Sequence, residues 1–197
     1  MESEQLTSPV KSLFCGSIAR ASFWPYPQID DDERETLGMV VESIDRFLEG
    51  REVDFKRWDT QSEQPPDFIR ELRELGLFGL IIPEEFGGIG LSNSGYSRVL
   101  QQSSRYDSSV SLTIGAHSSI GMKGLLLFGT DAQKEKYLPR LASGEMIAAY
   151  CLTEPGSGSD AASIKTNAVK NPDGSWVLNG EKIWITNGGI ADFYTVF

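Results

Sequence analysis

The chain has 197 residues, enough for one domain with a sizeable core or for one and a fraction. With 40% apolar and 23% charged residues it has the composition of a globular protein, not of a disordered one. A net charge of -10 argues against a nucleic-acid footprint, and no apolar run approaches the roughly 20 residues that span a bilayer.

Residues 1–29 read as an extended leader. Glu2 and Glu4 stand where a targeting peptide would carry basic residues before an apolar stretch, so the expected location is the cytoplasm. For a eukaryotic protein whose leader has been removed it is the mitochondrial matrix. Cys15 and Cys151 are too far apart to suggest a disulfide framework or a metal site, which fits a reducing compartment. Phe23-Trp24-Pro25-Tyr26-Pro27 reads as a strap on the domain surface. From Asp30, four acidic residues open a helix whose apolar positions are Leu37, Val40, Val41, Ile44, Phe47 and Leu48, and Gly50 ends it. The polar stretch Arg51 to Gln64 reads as a short broken helix or loop. Pro65 and Pro66 open a second helix, with Phe68, Ile69, Leu72 and Leu75 inward and Gly76 as its stop. Leu77 to Leu91 is a glycine-punctuated loop. Its Gly88-Ile89-Gly90 follows no βαβ pattern and has no acidic residue at ribose distance, so a dinucleotide fingerprint is rejected.

Helical spacing resumes at Tyr96, Val99, Leu100 and Ser103, breaks at Asp107, and continues from Ser109 to Phe128 as a helix apolar on most sides. Ser111, Gly115 and Ser119 recur at i, i+4 and i+8, a row that leaves either a groove or close packing against a neighbouring helix; for Ser119 packing is favoured. His117 has no second ligand within reach and reads as structural. Thr130-Asp131-Ala132-Gln133 is a capping box for a helix over 133–142 with Tyr137 and Leu138 inward, closed by Gly144. The period then falls to two. Strands are expected over 147–153, 165–169, 175–178, 182–186 and 193–197, with turns at Asn171-Pro172-Asp173-Gly174 and Asn179-Gly180. Helices followed by strands predict an α+β protein, with an all-α helical bundle over 30–145 and an incomplete antiparallel β-domain over 146–197.

One stretch looks like a site. Tyr150 to Asp160 runs from an apolar strand to a Thr-Glu pair and then a Pro-Gly-Ser-Gly-Ser loop, whose free backbone N–H groups suit a phosphate or a flat heteroaromatic ring. An ordinary turn between strands is the plainer reading. Lys182 to Gly189 repeats the order of apolar strand, Thr and Gly turn. Together the two stretches resemble the acyl-CoA dehydrogenase family. The likeness extends over about Lys11 to Phe197 and is nearest to the very-long-chain branch. It is carried also by Lys11-Ser12, Trp24 to Pro27, Gly115-Ala116-His117, Ser119-Ile120-Gly121, Phe128-Gly129-Thr130 and Gln133 to Pro139.

The resemblance implies FAD as cofactor and an acyl-CoA thioester as substrate, with α,β-dehydrogenation as the reaction. Electron-transferring flavoprotein is the implied acceptor, and the full-length protein is implied to be a homo-oligomer. It implies cofactor contacts from Tyr150, Cys151, Leu152, Thr153, Gly158, Ser159, Trp184, Ile185 and Thr186. By the resemblance Trp184 is expected to cover the flavin face away from substrate; on the residues alone the preferred reading is a core aromatic on a strand. Thr153 and Thr186 hydrogen-bond the ring. Ser159 lies near the pyrophosphate and the CoA ester, and Ser111 and Gly115 bear on the acyl pocket. The family's catalytic carboxylate lies in a C-terminal helical domain, so residues 1–197 alone are expected to lack the base and to be inactive. Glu154, next to Pro155, is expected to fix the loop by accepting backbone N–H bonds. A truncated, non-catalytic acyl-CoA-binding or assembly subunit on the same scaffold is the alternative, and a flavin oxidase a third reading.

Overall fold

The computed structural model describes residues 8–18, 20, 24–25 and 28–197. The expected strap falls mostly outside the described residues; within them, Trp24 is exposed. The leader contains a short helix that periodicity does not announce, α1 (Pro9–Phe14), started by the Ser8 cap and Pro9 at its first turn.

The helical part follows its signals closely. α2 (Asp31–Leu48) begins where the Asp30 carboxylate accepts from the Glu33 N–H at 2.8 Å and buries Ile44 and Leu48 completely. α3 (Glu52–Gln61) is a continuous helix where the polar composition suggests a broken one. Two aromatics at i, i+3 suffice: Phe55 and Trp58 are buried, and the Trp58 ring lies 4.7 Å from that of Phe68. Phe68 belongs to α4 (Pro66–Glu74), which also buries Ile69 and Leu72. The glycine-rich loop after it is a core element in its own right, since Leu77, Phe78, Leu80 and Ile82 are buried. Gly88 lies so close to the Ile82 carbonyl that a Cβ there would stand 2.0 Å from its oxygen. The Gly-x-Gly pattern therefore serves a chain folded back on itself.

α5 (Asn93–Ser104) is capped by Ser92 and packs on α2, where the Glu33 carboxylate accepts from the Ser92 N–H at 2.8 Å. The long helix expected over 109–128 is three pieces. α6 (Ser108–Gly115) is capped by Asp107, a π-helical segment spans Ala116–Gly121, and α7 (Lys123–Phe128) follows. A π turn carries more residues per turn than an α turn, so the helical phase shifts where the segment meets the first strand. At Gly121 a Cβ would stand 2.8 Å from the Ala148 Cβ. α8 (Asp131–Ala142) opens on the complete Thr130/Gln133 capping box, and Gly144, at φ +71°, turns the chain out of the helical layer.

The strand part departs more from its pattern. β2 (Asn167–Lys170) and β3 (Trp176–Asn179) form the antiparallel hairpin expected of the turn at 171–174. β1 (Ala148–Cys151) pairs with β4 (Phe193–Val196) in parallel. Two expectations fail. Residues 182–186 form no strand, and Asn179-Gly180 makes no second hairpin because nothing pairs with β3 on that side. Trp184 sits at φ +57° and is 86% exposed, so it is no core aromatic on a strand. The cause is a polar tether: Lys182 is drawn onto Leu152 and Glu154, only the Ile183 N–H bonds across (to the Thr153 carbonyl, 3.0 Å), and the chain then turns left-handed at Trp184 and Asn187. Among the described residues no helix is long and apolar enough to cross a membrane.

Candidate functional site

β1 delivers Tyr150 and Cys151 to the edge of the helical layer, with Leu152 and Thr153 following. The Tyr150 ring lies 4.8 Å from that of Phe197, and Cys151 is a buried free thiol whose pKa burial raises, with Lys182 working the other way. The chain then meets Glu154, whose carboxylate is 7% exposed and accepts from four donors. These are the Lys165 N–H (2.7 Å), the Thr166 N–H (2.8 Å) and hydroxyl (2.6 Å), and the Lys182 ammonium (2.8 Å). The Lys182 and Thr166 contacts, then the two backbone donors, hold its pKa down at about 2. This is the loop-fixing role expected of it. Such a carboxylate is a weak base, because its lone pairs are engaged by four donors and its proton affinity is low.

The same contacts order the Pro-Gly-Ser-Gly-Ser loop. Glu154 and Ser157 exchange backbone hydrogen bonds, and the Ser157 hydroxyl donates to the Asp160 carbonyl. Gly158 and Ser159 are left exposed, with nothing nearer than 3.9 Å to a Cβ at Gly158. Lys182 also donates to the Leu152 carbonyl at 3.0 Å, so one side chain binds the first motif twice and brings the second against it. Sequence reading overlooked Lys182 and Thr166: a lone lysine opening an apolar run, and a threonine beyond the loop, have no local signature.

Past Lys182 the second motif spreads over the helical layer. Ile185, Thr186 and Asn187 line an open cleft of about 580 Å³ with Gln64, Ile69, Arg73, Leu112 and Thr113. Asn187, another residue that sequence reading passed over, holds this loop in place by donating to the Thr113 carbonyl at 3.0 Å and the Ala148 carbonyl at 3.4 Å. Ser111 and Gly115 are not in this cleft. The Ser111 hydroxyl engages Ser103, Ser104 and the Leu100 carbonyl, while Gly115 lies under Tyr96 and Leu100, so the small-residue face is filled by α5.

His117 is wholly buried, accepts the Ala148 N–H on Nδ1 at 3.0 Å, and stands edge-on to Phe78. Burial depresses its pKa to about 4 against a smaller opposing influence from the Phe78 and Leu141 backbone, so the ring is neutral, with its proton on Nε2. Among the described residues no group of three or more His, Cys, Asp or Glu could hold a metal.

The arrangement is therefore one for binding. An indole displayed at a left-handed, costly backbone position, a cleft with a threonine at its rim, and a small-residue loop suit a large flat group carrying a phosphate tail. It offers hydrogen-bonding main chain and a stacking surface.

Residues 34–145 match the family model described as acyl-CoA dehydrogenase, N-terminal domain, and residues 149–197 match acyl-CoA dehydrogenase, middle domain. The chain is 51% identical over 189 residues to the very long-chain specific acyl-CoA dehydrogenase, mitochondrial, of Macaca fascicularis, which covers 94% of this chain and 28% of that protein. The solved acyl-CoA dehydrogenase complexed with FAD from Bacillus anthracis is 40% identical with a TM-score of 0.72, over 86% of this chain and 29% of that one. Butyryl-CoA dehydrogenase from Megasphaera elsdenii is 35% identical with a TM-score of 0.75, over 86% of this chain and 44% of that one. The chain thus spans less than a third of the length of the curated relative it matches.

Proposed function

We propose, from the premise that the chain belongs to the acyl-CoA dehydrogenase family, that it serves the α,β-dehydrogenation of long-chain acyl-CoA thioesters with FAD as cofactor. The observation that carries this reading is the junction at Lys182, which ties both motifs together and leaves Trp184 displayed beside the cleft that Thr186 lines. When bound, FAD would supply the acceptor for a hydride from the β-carbon, with removal of the α-proton left to a base.

In this proposal the chain's own residues bind and orient. The main chain from Tyr150 to Leu152 runs along the ring edge, Thr153 and Thr186 offer hydroxyls to it, and Trp184 with Ile185 covers one face. Gly158 and Ser159, exposed on a loop with free N–H groups, take the phosphate end, and Ser159 also serves the CoA ester. Ser111 and Gly115 act on the acyl pocket indirectly, by setting the spacing of α5 and α6. We do not assign α-proton removal to Glu154, because its four donors occupy its lone pairs and lower its basicity. The helical layer ends and the strand layer begins near Glu145. An acyl-CoA substrate, an electron-transferring flavoprotein as acceptor and a homo-oligomeric assembly complete the proposal. Its compartment is the cytoplasm or, for a eukaryotic protein whose leader has been removed, the mitochondrial matrix, where Cys15 and Cys151 stay free.

The test compares the natural protein in its longest form with residues 1–197 alone. Anaerobic addition of hexadecanoyl-CoA should bleach the bound flavin of the former and leave any flavin on the latter oxidised. Thr186→Val should weaken FAD retention about tenfold, the worth of one hydrogen bond. A long form that takes up no FAD sinks the reading. Bleaching by residues 1–197 would place the base inside them and make Glu154 the first residue to replace.

A further inference from the structure

The backbone of Ala148 is addressed by two side chains. Its N–H donates to His117 Nδ1 at 3.0 Å, and its carbonyl accepts from Asn187 Nδ2 at 3.4 Å. The two side chains come from different parts of the chain. His117 lies in the π-helical segment, fully buried, and Asn187 lies in the loop after Trp184, at φ +64°. Asn187 also donates to the last-turn carbonyl of Thr113 in α6. Ala148 begins β1, which leads straight to Tyr150, Cys151, Leu152 and Thr153; Asn187 directly follows Thr186. From these contacts we infer that His117 and Asn187 are a positioning pair, which holds the two peptide groups that flank Ala148 and thereby sets the distance between the β1 edge and the Trp184–Thr186 loop.

The inference rests on the reading that these two segments form the walls of the flavin site. A strand rises about 3.3 Å per residue and is stiff over so short a run, so a shift at Ala148 is carried to Tyr150 and Thr153 with little loss. The opposite wall has no sheet to hold it, since residues 182–186 form no strand. Its side-chain anchors are Lys182 at one end and Asn187 at the other, with the Ile183 N–H bonded to the Thr153 carbonyl between them. The π-helical segment supplies the reach. Its local phase places His117 against the β1 N–H, and Gly121 close behind leaves room for Ala148 to approach. A histidine serving only the core could be exchanged for an apolar residue of similar volume at a cost in stability alone. A positioning residue cannot, because the N–H it orients would be left unpaired and the wall would move.

The experiment uses the FAD-loaded natural protein with His117→Leu, His117→Asn, Asn187→Gly and, as a core control, Leu141→Ala. The readouts are the visible spectrum and midpoint potential of the bound flavin, and kcat and KM for hexadecanoyl-CoA. Glycine keeps the left-handed backbone at 187 while deleting the amide, and the asparagine Oδ1 can stand where Nδ1 stood. His117→Leu and Asn187→Gly should each shift the flavin spectrum and lower kcat about tenfold or more with KM little changed. The double variant should lose no more than the worse single one, and His117→Asn should recover most of kcat and the native spectrum. Leu141→Ala should lower the melting temperature and leave the spectrum of bound flavin in place. If His117→Leu and Asn187→Gly behave like that control, or if neither folds, the two residues serve stability alone and the inference is overturned. Wild-type protein that holds no flavin instead overturns the functional reading beneath it, a distinguishable result.

Discussion

The helical region up to Ala149 and the strand region after it are held together by different physics. All buried members of the hydrophobic core lie between Ile44 and Ala148. Beyond Ala149 the buried residues among those described are Cys151, Glu154 and Ser157, and every residue of β2 and β3 is exposed. The first region is ordered by area removed from water, the second by directional bonds converging on one carboxylate. A binding surface benefits from that division: a rigid body fixes where β1 starts, and a polar hub arranges loops whose apolar faces stay free to be covered by a ligand or by more protein.

The largest effects should therefore come from filling or emptying the helical region. Gly88→Ala, with no space beside the Ile82 carbonyl, and Leu141→Ala, at a fully buried position, should each cost about 2–5 kcal/mol in urea denaturation. A loss below about 1 kcal/mol at either position would mean that this region is not the close-packed body described.

Acid sharpens the contrast in an unexpected direction. His117 has its pKa lowered from 6.5 to about 4, so between those values the unfolded chain binds a proton that the folded chain refuses. Its contribution is present above pH 6.5 and lost as pH falls toward 4, with a ceiling of about 3 kcal/mol. Glu154 is lowered from 4.5 to about 2, so its contribution is present above 4.5 and lost as pH falls through 2. The apolar region should thus weaken first on acidification, and the ion-paired hub later. Amide hydrogen exchange from pH 7 to 4 checks this: protection in α6 and β1 should fall while that of the Lys165 and Thr166 amides persists. The reverse order would break the comparison.

The smallest effect is expected at the exposed hairpin. Trp176 is 59% exposed, and Trp176→Ala should change stability by no more than about 0.5 kcal/mol. A much larger loss would show that the hairpin is packed in the natural assembly, which a shift in the tryptophan emission of the wild-type protein would report independently.

Much of the helical layer was legible because its signals are short-range. The Asp30, Ser92 and Thr130 caps, the apolar spacing from Leu37 to Leu48, and the stops at Gly50, Gly76 and Gly144 each act within a turn or two of where they are written. Glu154 was legible as the residue that fixes the loop over 155–159 for the same reason: a carboxylate beside a Gly/Ser loop has few local uses. α3 was read only as a broken helix or loop because two buried aromatics in a polar stretch carry little periodicity, and the π-helical segment was missed because it lies where the first strand packs closely. The period-two run at 182–186 promised a strand, but alternation states only which faces differ, not whether a partner strand exists to pair with. Lys182 reaches Glu154 across 28 residues, His117 reaches Ala148 across 31, and Asn187 reaches Thr113 across 74. Bonds at such separations depend on how the whole chain packs. The sequence by itself therefore determined the helices and the place of the loop, while the arrangement of the segments around Lys182 and Asn187 came only from tertiary structure, because it is made by side chains that meet after the core has formed.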